Sequence, residues 1–158
     1  MGAQGESLAT KLQQATDQLI ATVDSCSDTR WKAKTSAEGW SVGVAAHHAA
    51  GGIGPTSELV QATANGMPLP PITMEIVDGG NAEHAKQFAN CTRAETLDLA
   101  RKQVAGATAM LRGLSDEQLG KTPTLAFMNN ATVSAAQLAE MLVVGHVQGH
   151  LQSIKATA

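Results

Sequence analysis

Five histidines carry most of the chemical potential of this 158-residue chain: His47, His48, His84, His146 and His150. His146 and His150 stand four positions apart near the C-terminal end. On a helix that spacing places their Cβ atoms one turn apart on one face, about 5–6 Å, so that both imidazoles can converge on a single ion. The spacing also has a plainer explanation, a surface pair or two hydrogen-bonded core histidines. Val147 follows His146, where the zinc-peptidase signature needs a general-base glutamate, so peptide hydrolysis by that scheme is disfavoured. On a wheel with Leu138 at the origin, Gln137, Gln148, Gln152 and Lys155 fall between roughly 260° and 320°. His146 and His150 fall near roughly 80° and 120°, among Ala139, Leu142, Val143 and Ile154. Imidazoles on a buried face need partners for their ring nitrogens, since an unsatisfied buried polar group costs roughly 1–3 kcal/mol. A shared metal ion is one such partner.

A third ligand would come from another element, and the segment Trp40-Ser41-Val42-Gly43-Val44-Ala45-Ala46-His47-His48 offers one. Adjacent helical residues point about 100° apart, so His47 and His48 cannot both face one centre. Alanines and glycines surround both, and local periodicity leaves the choice open.

The elements that must position these residues are helical. Leu8, Leu12, Ala15, Leu19, Ile20 and Val23 recur at helical spacing and predict a first helix over 6–25. A loop follows to Gly39. Ser41 is a suitable N-cap for a second helix to about Ala64, with a kink or break expected at Pro55. Pro68-Leu69-Pro70-Pro71 reads as a stiff connector, followed by a shorter helix over about 74–89. Thr92 with Glu95 has the form of a capping box opening a long helix to about Arg112 or Leu114. Ser115 to Leu119 suits one further turn, and 120–131 reads as an irregular loop. Ser134 with Gln137 opens the last helix, which reaches about Lys155. The expected fold is all-α: an antiparallel four-helix bundle with one additional short helix and a Pro-rich connector, in a single domain over 1–158.

Composition supports that reading and excludes several others. Apolar residues make up 43% of the chain and charged residues 16%, so disorder is excluded. With 27 alanines and only 3% aromatic residues, the core is expected to be helical. The net charge is −3 and the 11 Lys and Arg residues are scattered, leaving no basic stripe for nucleic acid. Cys26 and Cys91 form no CxxC pair and read as reduced thiols. No stretch reaches the roughly 18 apolar residues of a membrane span, and Met1 to Glu6 lacks the features of a leader. A cytoplasmic protein is expected.

Taken together, the Trp-Ser pair opening a helix, a histidine eight residues after that Trp, and His-x-x-x-His on the last helix resemble the DinB-like (DinB/YfiT) metal-binding bundles. The residues that carry the resemblance are Trp40, Ser41, His48, His146 and His150. In helix order it covers nearly the whole chain. It implies His48 as the first ligand, with His146 and His150 as the other two, and makes His47 a neighbour of the site or a surface residue. Asn81 to Ala85 also resembles a segment of some members, which implies His84 near the mouth of the site without being a ligand. Many members have Glu three residues after the helix-opening Ser. Here the position is Val44, a loss that touches the helix cap rather than the site.

Three neutral imidazoles leave a divalent ion its full charge and an open position, the arrangement of a catalytic zinc site. Zn²⁺ or Ni²⁺ suits the set best, with Fe²⁺ or Mn²⁺ as further candidates. The superfamily includes thiol-dependent S-transferases and a mycothiol-dependent maleylpyruvate isomerase. The resemblance therefore implies a metal-dependent enzyme that activates a low-molecular-weight thiol, or water, against a small electrophile. The alternatives are a non-catalytic metal-binding or stress-response protein, and a metal-free bundle acting through a dimer interface. A homodimer is expected in any of them. Trp40 reads as an anchor packing the loop onto the bundle, Glu83 and Glu140 as solvated, and Met67, Met74, Met110, Met128 and Met141 as packing residues. Cys91, just before a helix cap, reads as inert.

Overall fold

A computed structural model describes residues 2–125 and 129–158. The chain forms α1 (Ala3–Asp24), α2 (Asp28–Lys32), α3 (Val42–Ala64), α4 (Met74–Gln87), α5 (Arg93–Gly113) and α6 (Asp116–Leu119). A two-residue antiparallel pair follows, β1 (Thr124–Leu125) with β2 (Ala131–Thr132), and interrupts the expected irregular loop. The C-terminal helix is composite: α7 (Ala135–Leu138), a π-helical segment (Ala139–Val144) and α8 (Gly145–Lys155). Met128 lies outside the described residues.

The caps form as the side-chain chemistry dictates. Ser41 accepts from the Val44 amide, so the Ser cap of α3 stands without a reciprocal glutamate. Thr92 with Glu95, and Ser134 with Gln137, close full capping boxes. Of the kink or break expected at Pro55, the break does not occur: α3 runs through it to Ala64. The residue before a proline normally avoids the helical region because its Cβ clashes with the ring; Gly54 has no Cβ. Thr56 donates to the Gly52 carbonyl at 2.7 Å, one residue on from the Gly51 carbonyl that the missing Pro55 amide would have bonded. The expected loop before Gly39 also contains a helix, α2, capped by Ser27.

The protein is an all-α four-helix bundle whose neighbours run in both senses. Gly2 donates to the Leu114 carbonyl, so the start of α1 meets the end of α5 and the two are antiparallel. Along α3 and α5, Gly51 lies beside Leu99 and Gly54 beside Gln103, a parallel pairing. Lys11 pairs with Glu140 and Gln18 with Lys155, so α1 and the C-terminal helix are parallel too. His48 beside His150 and Gly52 beside His146 make α3 and α8 antiparallel. Two helices therefore run each way, and consecutive helices α1 and α3 sit largely across a diagonal of the bundle. A parallel α3–α5 pair needs a return crossing, and the Pro-rich connector with α4 provides it.

Buried Leu12, Leu19, Leu111, Leu138 and Ile154 fill the core, with Ala9, Ala45, Ala46, Ala49 and Ala50 where backbones approach. Buried Thr16 and Thr108 turn their hydroxyls back onto the carbonyls four residues earlier, so neither is left unpaired. α1 and α5 approach closely at Gly5, where a Cβ would sit 2.3 Å from the Leu111 carbonyl oxygen. That neighbour is backbone and cannot rotate away. Gly5→Ala is expected to lower stability by about 1–3 kcal/mol, the usual penalty of overpacking. Urea unfolding read by circular dichroism checks this; an unchanged midpoint would contradict the crossing.

Candidate metal centre

The site is assembled from four pieces of chain. His48 comes from the N-terminal half of α3, and His146 and His150 from the first turns of α8, immediately after the π-helical segment. One ring nitrogen of each lies within 4.8 Å of the others. The ring centroids are 4.9 Å apart for His48–His146, 4.9 Å for His48–His150 and 4.7 Å for His146–His150. All three residues are half-buried.

That burial differs from the wheel, which put both α8 histidines at the centre of a buried face. The buried residues of α8 are Val147, Leu151 and Ile154, and the histidines lie to one side of them, roughly 60–100° away on an ideal wheel. The wheel assumed one uninterrupted α-helix from Leu138. Instead the Gly145 amide donates to the Glu140 carbonyl, five residues back, and each such turn delays the helical phase. The offset turns the imidazoles out of the core and into a cleft.

Two further residues set the α8 histidines in place, and neither is legible as a site residue from spacing. The first is Glu38. Thr35 and Trp40 pair across a tight loop, and Gly39 adopts φ +71°, a left-handed conformation that glycine takes without a Cβ clash. The loop folds Glu38 inward, where its Oε1 accepts from His150 Nδ1 at 2.8 Å and its Oε2 from Ser153 at 2.5 Å. Burial raises the Glu38 carboxyl, but the hydrogen bonds from Ser153 and His150 help to outweigh it and hold the group below its ordinary range. Glu38 is therefore an anion that only accepts. That places the proton of His150 on Nδ1 and leaves the lone pair of Nε2 free.

The second is Gly52. A Cβ there would stand 2.5 Å from His146 Nε2, so the imidazole occupies space that any other residue would fill. His146 Nε2 also lies 3.4 Å from the His48 carbonyl oxygen, at the outer limit of a hydrogen bond.

His47 points away, as helical geometry requires, but it is not on the surface. It is 7% exposed, its Nδ1 is 3.2 Å from His84 Nε2, and its ring stacks on Phe88 at 4.0 Å. His84, brought back by α4, also lies 5.0 Å from the His48 ring and lines the cleft. Trp40 packs against the core and also walls the site, edge-on to His48 at 5.1 Å and stacked near His150 at 6.2 Å. Glu83 and Glu140 are exposed, and Glu140 pairs with Lys11. Burial pushes the Cys91 thiol up, the opposite of an activated thiolate. Of the methionines, Met110 packs on the core, whereas Met67, Met74 and Met141 are exposed; Met74 and Met141 line the cleft.

The cleft has a volume of about 1150 Å³. Its floor is α3 from His48 to Ala62, about 21 Å of helix, with the connector residues Leu69, Pro70 and Ile72 and the α4 residue Val77 along it.

The donor set suits a divalent ion. Burial first, and the other imidazoles second, lower His48 to about 3 and His146 to about 4. Both rings are neutral at pH 7, the form that binds a metal. A carboxylate behind one imidazole and a bare glycine under another are the kind of support such centres use.

The chain belongs to the DinB superfamily, whose family model matches residues 11–154. Among solved structures it is similar to YfiT from Bacillus subtilis, described as a probable metal-dependent hydrolase with an unusual four-helix bundle topology. The TM-score there is 0.76 at 17% identity, covering 98% of this chain and 86% of that one. It is also similar to the mycothiol-dependent maleylpyruvate isomerase, with a TM-score of 0.74 and 17% identity over 98% of this chain. The match spans 62% of the isomerase's length. An uncharacterised protein from Clostridium difficile 630 matches with a TM-score of 0.74 and 13% identity, over 95% of its length. At these identities the likeness is one of fold. No curated protein matches the chain in sequence.

The lowered histidines set a pH dependence for the metal-free chain. Unfolded, His48 takes a proton near 6.5; folded, it resists down to about 3. The unfolded state therefore binds more protons across that interval, and stability falls as pH drops below 6.5. His48→Gln removes this contribution, so the gap in thermal midpoint between native and variant should narrow from about pH 7.5 to about pH 4.5. A gap independent of pH would refute it.

Proposed function

We propose that this protein holds one divalent metal ion through His48, His146 and His150, and uses it as a metal-dependent enzyme acting on small molecules. The observation that carries the reading is the convergence of three imidazoles, from two helices, on one side of a large cleft. Zinc or nickel fits an all-imidazole set best. When bound, the ion lowers the pKa of a coordinated thiol or water and so supplies a nucleophile near neutral pH.

The chain's own residues supply the rest. Glu38 fixes the tautomer and orientation of His150 by holding its Nδ1 proton, and Ser153 holds Glu38. Gly52 gives His146 its space, and Trp40 covers the flank of the imidazoles. Leu59, Leu69 and Leu142 exclude water along the cleft, where an electrophile would lie against the connector. Within this reading we favour transfer to the sulfur of a low-molecular-weight thiol, in keeping with the mycothiol dependence of the isomerase it resembles. We also propose a homodimer, because Met67 and Ile76 expose apolar side chains on the connector and α4, at 58% and 59%. Light scattering tests the dimer; a monomer at all concentrations removes it.

Elemental analysis after stripping and reloading with Zn²⁺ or Ni²⁺ tests the centre. One ion per chain is expected, and His48→Ala or His150→Ala should weaken loading by more than about 100-fold. Glu38→Gln should weaken it by about 10–100-fold, the range of an outer partner. A native chain that refuses both ions sinks the proposal. Assays with mycothiol, bacillithiol and glutathione against a model electrophile then separate catalysis from metal storage: turnover with one of them is expected, and none from fully loaded protein would leave a non-catalytic metal-binding role.

A further inference from the structure

The cleft has an unusual charge pattern for a site built around small-molecule chemistry. Among the described residues that line it there is no lysine and no arginine. Its carboxylates are Glu38, held by His150 and Ser153, and Glu58, which is exposed on α3. The four histidines His48, His84, His146 and His150 gather at one end, with Trp40 beside them. Beyond them the wall becomes apolar, through Pro55, Leu59, Leu69, Ile72, Val77 and Leu142.

An anionic group entering that apolar length would lose hydration and find no cation to replace it, which is costly. A carboxylate normally secures itself with the planar fork of an arginine or with a lysine, and neither is present among the described lining residues. Among the described lining residues, negative charge can be accommodated at the histidine end alone, and Glu58 could receive only a cation. The length available is also considerable, about 21 Å from His48 to Ala62 along α3.

We infer that the cleft selects a ligand with a single donor head group and a long uncharged apolar body. The head lies at His48, His146 and His150; the body, alkyl or aryl, lies along Leu59 and the Pro-rich connector. A ligand bearing a second, distal carboxylate binds more weakly, which among the thiols named above disfavours glutathione and bacillithiol, both of which carry carboxylates. The placement of the head rests on the metal-centred reading above, whereas the selection of the body rests on the cleft wall alone.

The test compares n-alkanethiols of four to eight carbons with their ω-carboxylated counterparts, by calorimetry, on metal-free and on zinc-loaded protein. Affinity for the alkanethiols should rise about three- to fourfold per added methylene, the value of burying one CH₂. 8-Mercaptooctanoate should bind at least about tenfold more weakly than octane-1-thiol, a difference of about 1.4 kcal/mol. Leu59→Arg should reverse that order by supplying the missing cation. Leu59 is half-buried and apart from the histidines, and Leu69→Arg in the connector serves if that variant does not fold. A flat dependence on chain length, or equal binding of the carboxylated thiol to the native chain, overturns the inference. So does a dimer whose partner fills the cleft and blocks every probe. If zinc does not bind but the chain-length dependence persists, the metal reading fails and this one stands. If zinc binds and the dependence is absent, the reverse holds.

Discussion

His146 stands between α3 and α8 with its Nε2 2.5 Å from where a Cβ of Gly52 would be. This one absence of a side chain lets an imidazole from the last helix reach across to the second, and everything proposed for the site follows from it. Helix axes normally pack 8–10 Å apart, a distance set by the side chains between them. Along α3 those side chains are reduced to almost nothing by Ala45, Ala46, Ala49, Ala50, Gly51 and Gly52. The composition that looked merely helix-favouring is also what brings two backbones close enough for His48 to meet His146 and His150. Bulk is restored elsewhere, by leucines on α1, α5 and α7, so that the core stays filled where no site is needed.

The π-helical segment performs a second, complementary task. An α-helix that buries Leu138, Val143 and Val147 in continuous phase would carry the histidines wherever that phase dictated. Adding a residue to the turn before His146 separates the two requirements. The core residues on either side of the insertion stay buried, while His146 and His150 come to face the cleft. Lost i→i+4 hydrogen bonds are the local cost, partly met by the Gly145 amide bonding to Glu140 instead.

Much of the architecture was legible because its signals are local. Ser41, Thr92 and Ser134 announce helix starts by chemistry confined to four residues, and each formed the cap expected of it. Helix existence and order follow from such signals together with apolar spacing. What escaped is non-local or depends on a residue having nothing to show. Pro55 reads as a kink or a break, and the break is avoided where Gly54 before it lacks the Cβ that would clash. Glu38 sits in a loop, with no periodicity, and its partner His150 is 112 positions away. The π segment carries no distinctive composition. Likewise the pairing of α3 with α5 in parallel depends on how the chain returns, and the Pro-rich connector that forces the return reads in sequence only as stiff.

The same return crossing explains why the histidines divide into two groups rather than one. Adjacent positions on α3 send His48 to α8 and His47 to the other side, where α4 and Phe88 close over it. His84 bridges the division, hydrogen-bonded to His47 while its ring stands 5.0 Å from that of His48. Because α4 buries none of its own residues fully, its hold on the bundle depends on a few such contacts, and His47–His84 is a polar one among the described residues. Occupation of the site would alter the surroundings of His48 and hence of His84. The helix that walls one side of the cleft is thereby tied, through a single pair of imidazoles, to the residue beside the centre it covers.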